Sequence, residues 1–160
     1  MANCSSSGSR SPHPTTTLSG ARLYVLAIIE HATRRVRILG ADRDGKYPAL
    51  FDAILADTGV AVVFTGVRVP RMNSVMERWI QTCRHEPLDH TLIWNQAHLL
   101  HALREYEDHD NVRRPHRGIA NARPLRPLPH PITDSATIAD LRIRRRDRLG
   151  DLIHEYEHSA

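Results

Sequence analysis

The segment LYVLAIIEHATRRVRIL, residues 23–39, combines two patterns that are each typical of a β-strand. Residues 23–29 form a nearly continuous apolar run, which indicates a buried strand. Residues 35–39 alternate between polar and apolar side chains, which indicates a strand with one solvated face. The residues between them favour a turn. The segment therefore predicts a β-hairpin, with Glu30 as a hairpin-turn residue at the end of the first strand.

Helical and strand patterns alternate along the rest of the chain. Residues 48–59 predict a helix that opens at a proline and ends at a glycine, and residues 60–64 predict another buried strand. A longer helix is predicted from Arg71 to about Glu86, and a third from about Asn95 to His109. This alternation predicts the α/β fold class.

The helix from Arg71 to about Glu86 has two distinct faces. Its apolar stripe consists of Met72, Met76, Trp79, Ile80 and Cys83. Its polar face consists of Asn73, Glu77, Gln81 and Arg84. Glu77 is therefore expected on a rigid element, among groups that can meet a phosphate. An ordinary solvated helical face has the same pattern, so the pattern alone leaves both interpretations open.

The two ends of the chain differ in composition from the middle. Residues 1–20 are rich in Ser, Thr, Pro and Gly and lack periodicity, which predicts a disordered N-terminus. Residues 118–160 form a tail rich in Pro and Arg, with five arginines between 142 and 148. A short C-terminal helix is predicted there from Leu149, Leu152, Ile153 and Tyr156. Residues 21–117 are left as the main folded domain.

The composition narrows the classes of partner. The chain has 160 residues and a formal net charge of +4, and Lys46 is its only lysine. Arginine forks match phosphate geometry, so the arginine excess favours a nucleic-acid partner, although a GC-rich genome would also produce it. Two cysteines are too few for a disulfide framework, and no zinc-binding spacing is present. The chain shows no membrane-span or signal-peptide pattern, so we expect a cytoplasmic protein without a membrane partner.

Three motifs carry a resemblance to a known family. They are Asp42-Arg43-Asp44-Gly45-Lys46-Tyr47, Pro70-x-x-Asn73-x-x-x-Glu77-Arg78 and Asn111-x-x-Arg114-Pro115-His116. In this order and at these spacings, they resemble the integrase core domain of bacterial insertion-sequence transposases, which is similar to that of retroviral integrases. Each motif alone is weak, and the three together are specific. The resemblance runs from about Leu23 to Arg117.

The resemblance implies both a fold and a chemistry. The fold is RNase H-like, a mixed sheet flanked by helices. The chemistry is DNA strand transfer in transposition, in which an Asp, Asp, Glu triad holds two Mg²⁺ (or Mn²⁺) ions that activate the attacking oxygen and stabilise the leaving one. Carboxylates suit these hard cations better than His or Cys does. By the motif match, Asp42 is the second acid and Glu77 the third, so both are candidates for catalysis and metal binding.

The same match names candidates for contact with DNA. They are Asn73, Arg78, Arg84, Arg114 and His116. The partners implied are DNA and, beside it, an intact transposase or a second copy of the chain.

The chain departs from the family at the first acid. No Asp or Glu occurs between Met1 and Ile29, and the region that should carry this acid reads HPTTTL, residues 13–18. Glu30 lies at the opposite edge and is not assigned as a substitute. The resemblance therefore implies a truncated family member that lacks the first catalytic Asp.

A second departure precedes Asp42. Only Gly40 and Ala41 separate it from Leu39, where the family has a helix and a strand. A parallel crossover needs about a dozen residues or more, so Asp42 is expected at the end of the strand before it. In the family's sheet order that position is about three strands away, or roughly 14 Å at ~4.8 Å per strand, whereas paired catalytic metals lie ~4 Å apart. The resemblance thus implies an internal deletion, an incomplete sheet and an inactive site.

Three hypotheses about function remain. The first is an enzyme, an integrase-type domain that cleaves and joins DNA. The second is a non-catalytic module that binds DNA or an intact transposase. The third is a remnant without a selected role. The two departures favour the hypotheses without catalysis.

Overall fold

The computed structural model of the protein describes residues 5–7, 15–43, 61–62, 70–128, 130–139 and 141–159. The strands in these ranges are β1 (Ser5–Ser7), β2 (Thr15–Thr16), β3 (Arg22–Glu30), β4 (Val36–Asp42), β5 (Ala61–Val62), β6 (Arg142–Arg148) and β7 (Ile153–Ser159). The α-helices are α1 (Pro70–His85), α2 (Gln96–Val112) and α3 (Ser135–Ala139). Short 3-10 turns lie at Leu88–His90 and Arg117–Ile119. The fold is mixed α/β, as the sequence predicts.

Strand β3 organises a mixed sheet. It pairs antiparallel with β4, with a register shift between Leu26 and Ala27, and this confirms the predicted hairpin. Strand β1 lies on the side of β3 opposite β4, because Ile29 pairs with both Ser7 and Val36. Strand β5 runs parallel to β1 and extends the sheet beyond it.

Two short strands lie in the N-terminal segment for which the composition predicts disorder. Strand β2 pairs antiparallel with the beginning of β3, and β1 pairs with its end. Between β2 and β3, the Ala21 N–H donates a 3.1 Å hydrogen bond to Thr17 Oγ1. Composition misses these strands because the backbone ladder of β3 supplies bonds that need no apolar side chain. The helix predicted for residues 48–59 lies outside the described residues, as do residues 60, 63 and 64 of the strand predicted after it.

Helices α1 and α2 share one apolar core with the sheet. Both begin and end within a few residues of their predicted bounds, and the Asn95 side chain caps α2 by accepting a 2.9 Å bond from the His98 N–H. The rings of Trp79 and Tyr106 lie 6.4 Å apart between the two helices. Burying a Val, Leu, Ile or Met side chain stabilises a fold by about 1.5–3 kcal/mol. The core includes Leu23, Ile29, Val36, Ala41, Met76, Trp79, Cys83, Ile93, Leu99, Leu103, Tyr106 and Ile153.

Helix α2 supplies hydrogen bonds to the side of β4 that faces away from β3. Asn111 Oδ1 accepts from the Val36 N–H at 2.9 Å, and its Nδ2 donates to the Val36 carbonyl at 2.8 Å. Glu107 Oε2 accepts from the Ile38 N–H at 3.3 Å. Four residues of helix rise about 6 Å and two residues of strand about 6.6 Å, so these contacts stay in register. The side chains of α2 thus satisfy edge groups that a neighbouring strand would otherwise pair.

The C-terminal segment is a β-hairpin, and the short helix predicted there is wrong. Strands β6 and β7 pair antiparallel from Arg142↔Ser159 to Arg148↔Ile153. Between them, Leu149, Gly150 and Asp151 have φ angles of 52°, 65° and 75°. Three consecutive left-handed residues cannot continue an α-helix. The spacing of apolar residues at 149, 152, 153 and 156 is also compatible with a turn followed by an alternating strand. No described helix is long and apolar enough to cross a membrane.

Candidate functional site

Asp42 is the last residue of β4, where the short connection to Leu39 predicts it. It pairs with Tyr24 across the hairpin. The preceding carbonyl, that of Ala41, accepts a hydrogen bond from the Gln96 side chain at the first turn of α2. The Asp42 backbone is therefore held between a strand and a helix end. Its side chain lies outside the described part of the chain.

Glu77 lies on α1 and its side chain is exposed. Met76 and Trp79 on the same helix are buried, so the core fixes the direction in which Glu77 points. Arg78 beside it is also exposed. The backbone of Asn73 belongs to the same helix, and its side chain lies outside the described residues. Glu77 and Arg78 are therefore open to a ligand on a helix that packing holds in place.

Glu30 has the role that the sequence predicts for it. It ends β3, and its carboxylate accepts a 2.7 Å hydrogen bond from Thr33 Oγ1. Its backbone N–H donates to the Arg35 carbonyl at 2.8 Å. These bonds close the turn between β3 and β4.

Arg114, a candidate for DNA contact, is engaged inside the protein. Both its terminal nitrogens donate to the Glu86 carboxylate at 2.6 Å, and Nη1 also donates to Tyr106 Oη at 2.9 Å. Tyr106 Oη in turn donates to Glu86 Oε2 at 2.9 Å. Burial alone would raise the pKa of Glu86, but the Arg114 and Tyr106 bonds hold it below its ordinary value. This arrangement, the Glu86 cluster, ties the end of α1 to α2 and the loop after it.

His116, another candidate for DNA contact, meets the buried Asp110. Its Nε2 lies 3.0 Å from the Asp110 carbonyl and 3.7 Å from Oδ2 of the same residue. Asp110 is only 2% exposed. Burial raises the pKa of Asp110, although His116, Arg114 and His109 act against it. The third sequence motif thus faces the protein interior through Asn111, Arg114 and His116.

Sequence reasoning missed the residues that hold this motif. Glu86, Tyr106 and Asp110 belong to none of the three motifs. Tyr106 and Asp110 precede Arg114 at intervals of four, and this spacing signals one shared helical face. Nothing in the sequence indicates Glu86 as their partner, because the contact depends on how α1 and α2 pack. The remaining candidate, Arg84, is exposed and lies 3.5 Å from Asp89.

The C-terminal hairpin is attached to α2 by a second group of charged residues. Arg148 Nε lies 2.8 Å from Glu155 Oε1. Its two terminal nitrogens donate to Glu105 at 2.9 Å and to Asp108 at 2.8 Å. His109 Nδ1 lies 3.1 Å from the same oxygen of Glu155. Because Glu105, Asp108 and His109 all belong to α2, these contacts fix β6 and β7 against that helix.

Arg113 completes this group, which we call the attachment cluster. Its Nε lies 3.7 Å from Glu155 Oε2, and its Nη2 donates to Glu157. The Glu155 side chain is fully buried. Burial alone would raise the pKa of Glu155, but His109, Arg148 and Arg113 together hold it below its ordinary value.

Among the described side chains, one group has the composition of a metal site. The ligand atoms of Asp147, Asp151 and His154 lie within 4.8 Å of one another, and all three residues are exposed. However, Arg145 already donates to both aspartates at 2.6 Å. Its guanidinium lowers the pKa of Asp147 to about 2, with help from His154. An internal cation therefore already binds one oxygen of each aspartate.

The described residues do not fit the three-carboxylate Mg²⁺ set that the family resemblance implies. Glu77 offers one exposed carboxylate on α1. The strands that pair with β3 on the N-terminal side carry Ser5–Ser7 and Thr15–Thr16, which are not carboxylate donors. A pair of Mg²⁺ ions needs several charged oxygen ligands. The described side chains therefore supply too few carboxylates for a step that depends on two metal ions.

Comparison with known proteins gives a match for one part of the chain. Residues 58–124 match the family model of the integrase core domain. This segment contains α1, α2, Glu77 and the motif from Asn111 to His116, but neither Asp42 nor the C-terminal hairpin. It supports an integrase-like family, as the motifs predict. No match to the chain was found among curated proteins or solved structures.

Proposed function

We propose that this chain is a transposase-type integrase domain that binds DNA in transposition but does not itself catalyse strand transfer. The observation that carries the proposal is the integrase core match across α1 and α2. Those helices share one core and are joined through the Glu86 cluster. The described part of the matched segment is therefore held as a packed unit.

The sheet is compatible with an RNase H-like arrangement. The strand order runs β4, β3, β1, β5, with β4 and β1 antiparallel to β3 and β5 parallel to β1. Helices α1 and α2 pack against this sheet through the shared core. We propose this fold for the integrase-like part of the chain, with an incomplete sheet.

Two observations support the absence of catalysis. The strands beside β3 carry serine and threonine where the family resemblance expects the first acid. Asp42 ends β4, which pairs with β3 alone among the described strands, rather than belonging to a separate strand. Integrase-family domains generally use a divalent metal, and two carboxylates placed in this way are a weak ligand set for two ions. Asp42 and Glu77 are thus proposed as the remaining two acids of an incomplete triad.

The outward face of α1 is the proposed contact with DNA. Arg78 and Arg84 are exposed there, and Asn73 lies on the same helix. Arginine donors on a rigid element suit phosphate oxygens. Arg114 and His116 remain weaker candidates, because protein groups already occupy their donors.

The alternative is a non-catalytic remnant that binds an intact transposase rather than DNA. A strand-transfer assay with the full chain, labelled duplex DNA and Mg²⁺ or Mn²⁺ separates catalysis from both non-catalytic functions. We expect no joined product with the wild-type chain or with Glu77→Gln. A metal-dependent product that Glu77→Gln abolishes would overturn the absence of catalysis. DNA binding is measured in the same samples. Binding favours the proposal, and its absence favours the alternative.

A further inference from the structure

The arginines of the C-terminal hairpin are in different electrostatic states. Side chains alternate between the two faces of a strand, so Arg144, Arg146 and Arg148 share one face of β6 and Arg145 lies on the other. The hairpin lies outside the segment that matches the integrase core. The match therefore says nothing about what the hairpin binds.

Two of these arginines are already neutralised by carboxylates. Arg145 donates to Asp147 and to Asp151. Arg148, in the attachment cluster, contacts Glu105, Asp108 and Glu155. The positive charge of each guanidinium is therefore already balanced by carboxylates of the protein.

Arg144 and Arg146 differ from them. Both are exposed, and neither has a hydrogen bond or ion pair within the part of the chain that the structure describes. The residues opposite them on β7 are Glu157 and Glu155. Glu157 is bound to Arg113, and Glu155 is buried among other cations of the attachment cluster. The two arginines therefore share a face with Glu155 and Glu157 but keep donors that no described carboxylate occupies.

The attachment cluster also holds this strand in place. Arg148 is the last residue of β6, and its contacts reach two residues of α2 besides Glu155. Arg144 and Arg146 precede it on the same face. A ligand that binds them does not have to order the backbone first, and such preorganisation favours binding.

We infer that Arg144 and Arg146 form a second contact with duplex DNA, binding its phosphates without regard to base sequence. The inference rests on the proposed function only in naming DNA as the partner. Guanidinium groups bind phosphates through paired N–H donors. Residues two apart on a strand are separated by about 6.6–6.8 Å, close to twice the ~3.4 Å rise per nucleotide of one DNA strand. A strand lying along the duplex can therefore place both arginines on one phosphate backbone.

The test is a fluorescence anisotropy titration of the full chain with labelled duplexes of unrelated sequence, between about 50 and 200 mM NaCl. The variants are Arg144→Gln and Arg146→Gln, singly and together. Arg145→Gln is the matched control, because it removes the same charge from the same strand on the opposite face. Circular dichroism melting of each variant establishes that the fold is unchanged.

Each phosphate contact contributes about 0.9 to the slope of log affinity against log salt. We expect the double variant to lose about 1.8 from this slope, and each single variant to bind roughly eight-fold more weakly at 0.1 M salt. Arg145→Gln should leave the slope unchanged. The inference is overturned when the wild-type chain binds DNA and the double variant keeps its slope, or when Arg145→Gln loses as much as its neighbours. A wild-type chain that binds no DNA overturns the proposed function as well.

Discussion

Two motifs that carry the resemblance to the integrase core domain face opposite directions in the fold. In the motif from Asn111 to His116, the polar side chains turn inward and bond to β4, to Glu86 and to the Asp110 backbone. In the motif from Pro70 to Arg78, Glu77 and Arg78 are exposed on α1. The two motifs therefore contain residues of two kinds. Some hold the helices together, and others are left open to a ligand.

The motif from Asn111 to His116, the inward motif, needs particular residue types for a physical reason. A buried N–H or C=O without a partner costs about 1–3 kcal/mol, so the groups of Val36 need Asn111 or an equivalent. Arg114 follows three residues later, just beyond the end of α2, and its side chain bonds to Glu86. In the motif from Pro70 to Arg78, the outward motif, the exposed side chains of Glu77 and Arg78 satisfy no buried backbone group among the described residues.

The largest effect is expected when the inward motif loses Asn111. The change Asn111→Ala removes two hydrogen bonds from the buried Val36 backbone, and we expect it to lower the free energy of unfolding by about 2–4 kcal/mol. Urea denaturation followed by circular dichroism measures this. Glu77→Gln, in the outward motif, is the control and should change stability by less than about 0.5 kcal/mol. Equal effects of the two changes would break the comparison.

A smaller loss is expected for Arg114→Ala. The arginine bridges Glu86 and Tyr106, but it is partly exposed, so we expect a loss of about 1–2 kcal/mol. Arg84→Ala removes an exposed arginine with one long ion pair and should cost less than about 0.5 kcal/mol. Thermal melts of both variants under one buffer condition give the difference. If Arg84→Ala is the more damaging change, the Glu86 cluster does not join the helices as described.

The stability of the protein is expected to depend on pH through the buried Asp110. Burial raises the pKa of Asp110, so its contribution to stability is present below its unfolded pKa and is lost as the pH rises through the folded value. The change Asp110→Asn removes this loss. We therefore expect the stability of the variant relative to wild type to increase as the pH rises from about 4, the ordinary Asp value. Unfolding measured across this range checks the sign, and a relative stability that falls with pH would contradict the assignment.

The opposite dependence of stability on pH is expected for Glu86. Its pKa is held below the ordinary value, because Arg114 and Tyr106 outweigh its burial. Its contribution is therefore present above the unfolded pKa and is lost as the pH falls through the folded one. In Glu86→Gln the wild-type loss of stability below about pH 4.5 should become shallower. An unchanged acid limb would show that the carboxylate is not stabilised as the contacts indicate.

Between Arg22 and Val112, most of the described elements could be predicted, because their signals are local. The hairpin and the two long helices follow from periods of two and of 3.6 residues. The C-terminal hairpin could not be predicted in the same way. Its strand β6 is almost wholly polar, and contacts with α2, some forty residues earlier, hold it in place. Short polar strands depend on their context more than on propensity.

In the candidate site, too, local features could be predicted and contacts that depend on packing could not. The motifs predicted which residue types matter, and they placed Glu77 and Arg78 on an exposed face. They did not predict that Arg114 and His116 would be engaged inside the protein. Glu86 reaches Arg114 through the packing of α1 against α2, and the turn after α2 brings His116 back to Asp110. The sequence also could not show which arginines between 142 and 148 are paired with carboxylates, since this depends on the two faces of β6.

The most direct test of this division compares the DNA affinity of Arg78→Ala and Arg114→Ala at a temperature where both variants are fully folded. Arg78→Ala should bind duplex DNA roughly eight-fold more weakly at 0.1 M salt, as expected for one lost phosphate contact, with its unfolding unchanged. Arg114→Ala should bind DNA as the wild-type chain does, although it unfolds more easily. If the folded Arg114→Ala protein loses more affinity than Arg78→Ala, the inward motif contacts DNA and the division is wrong.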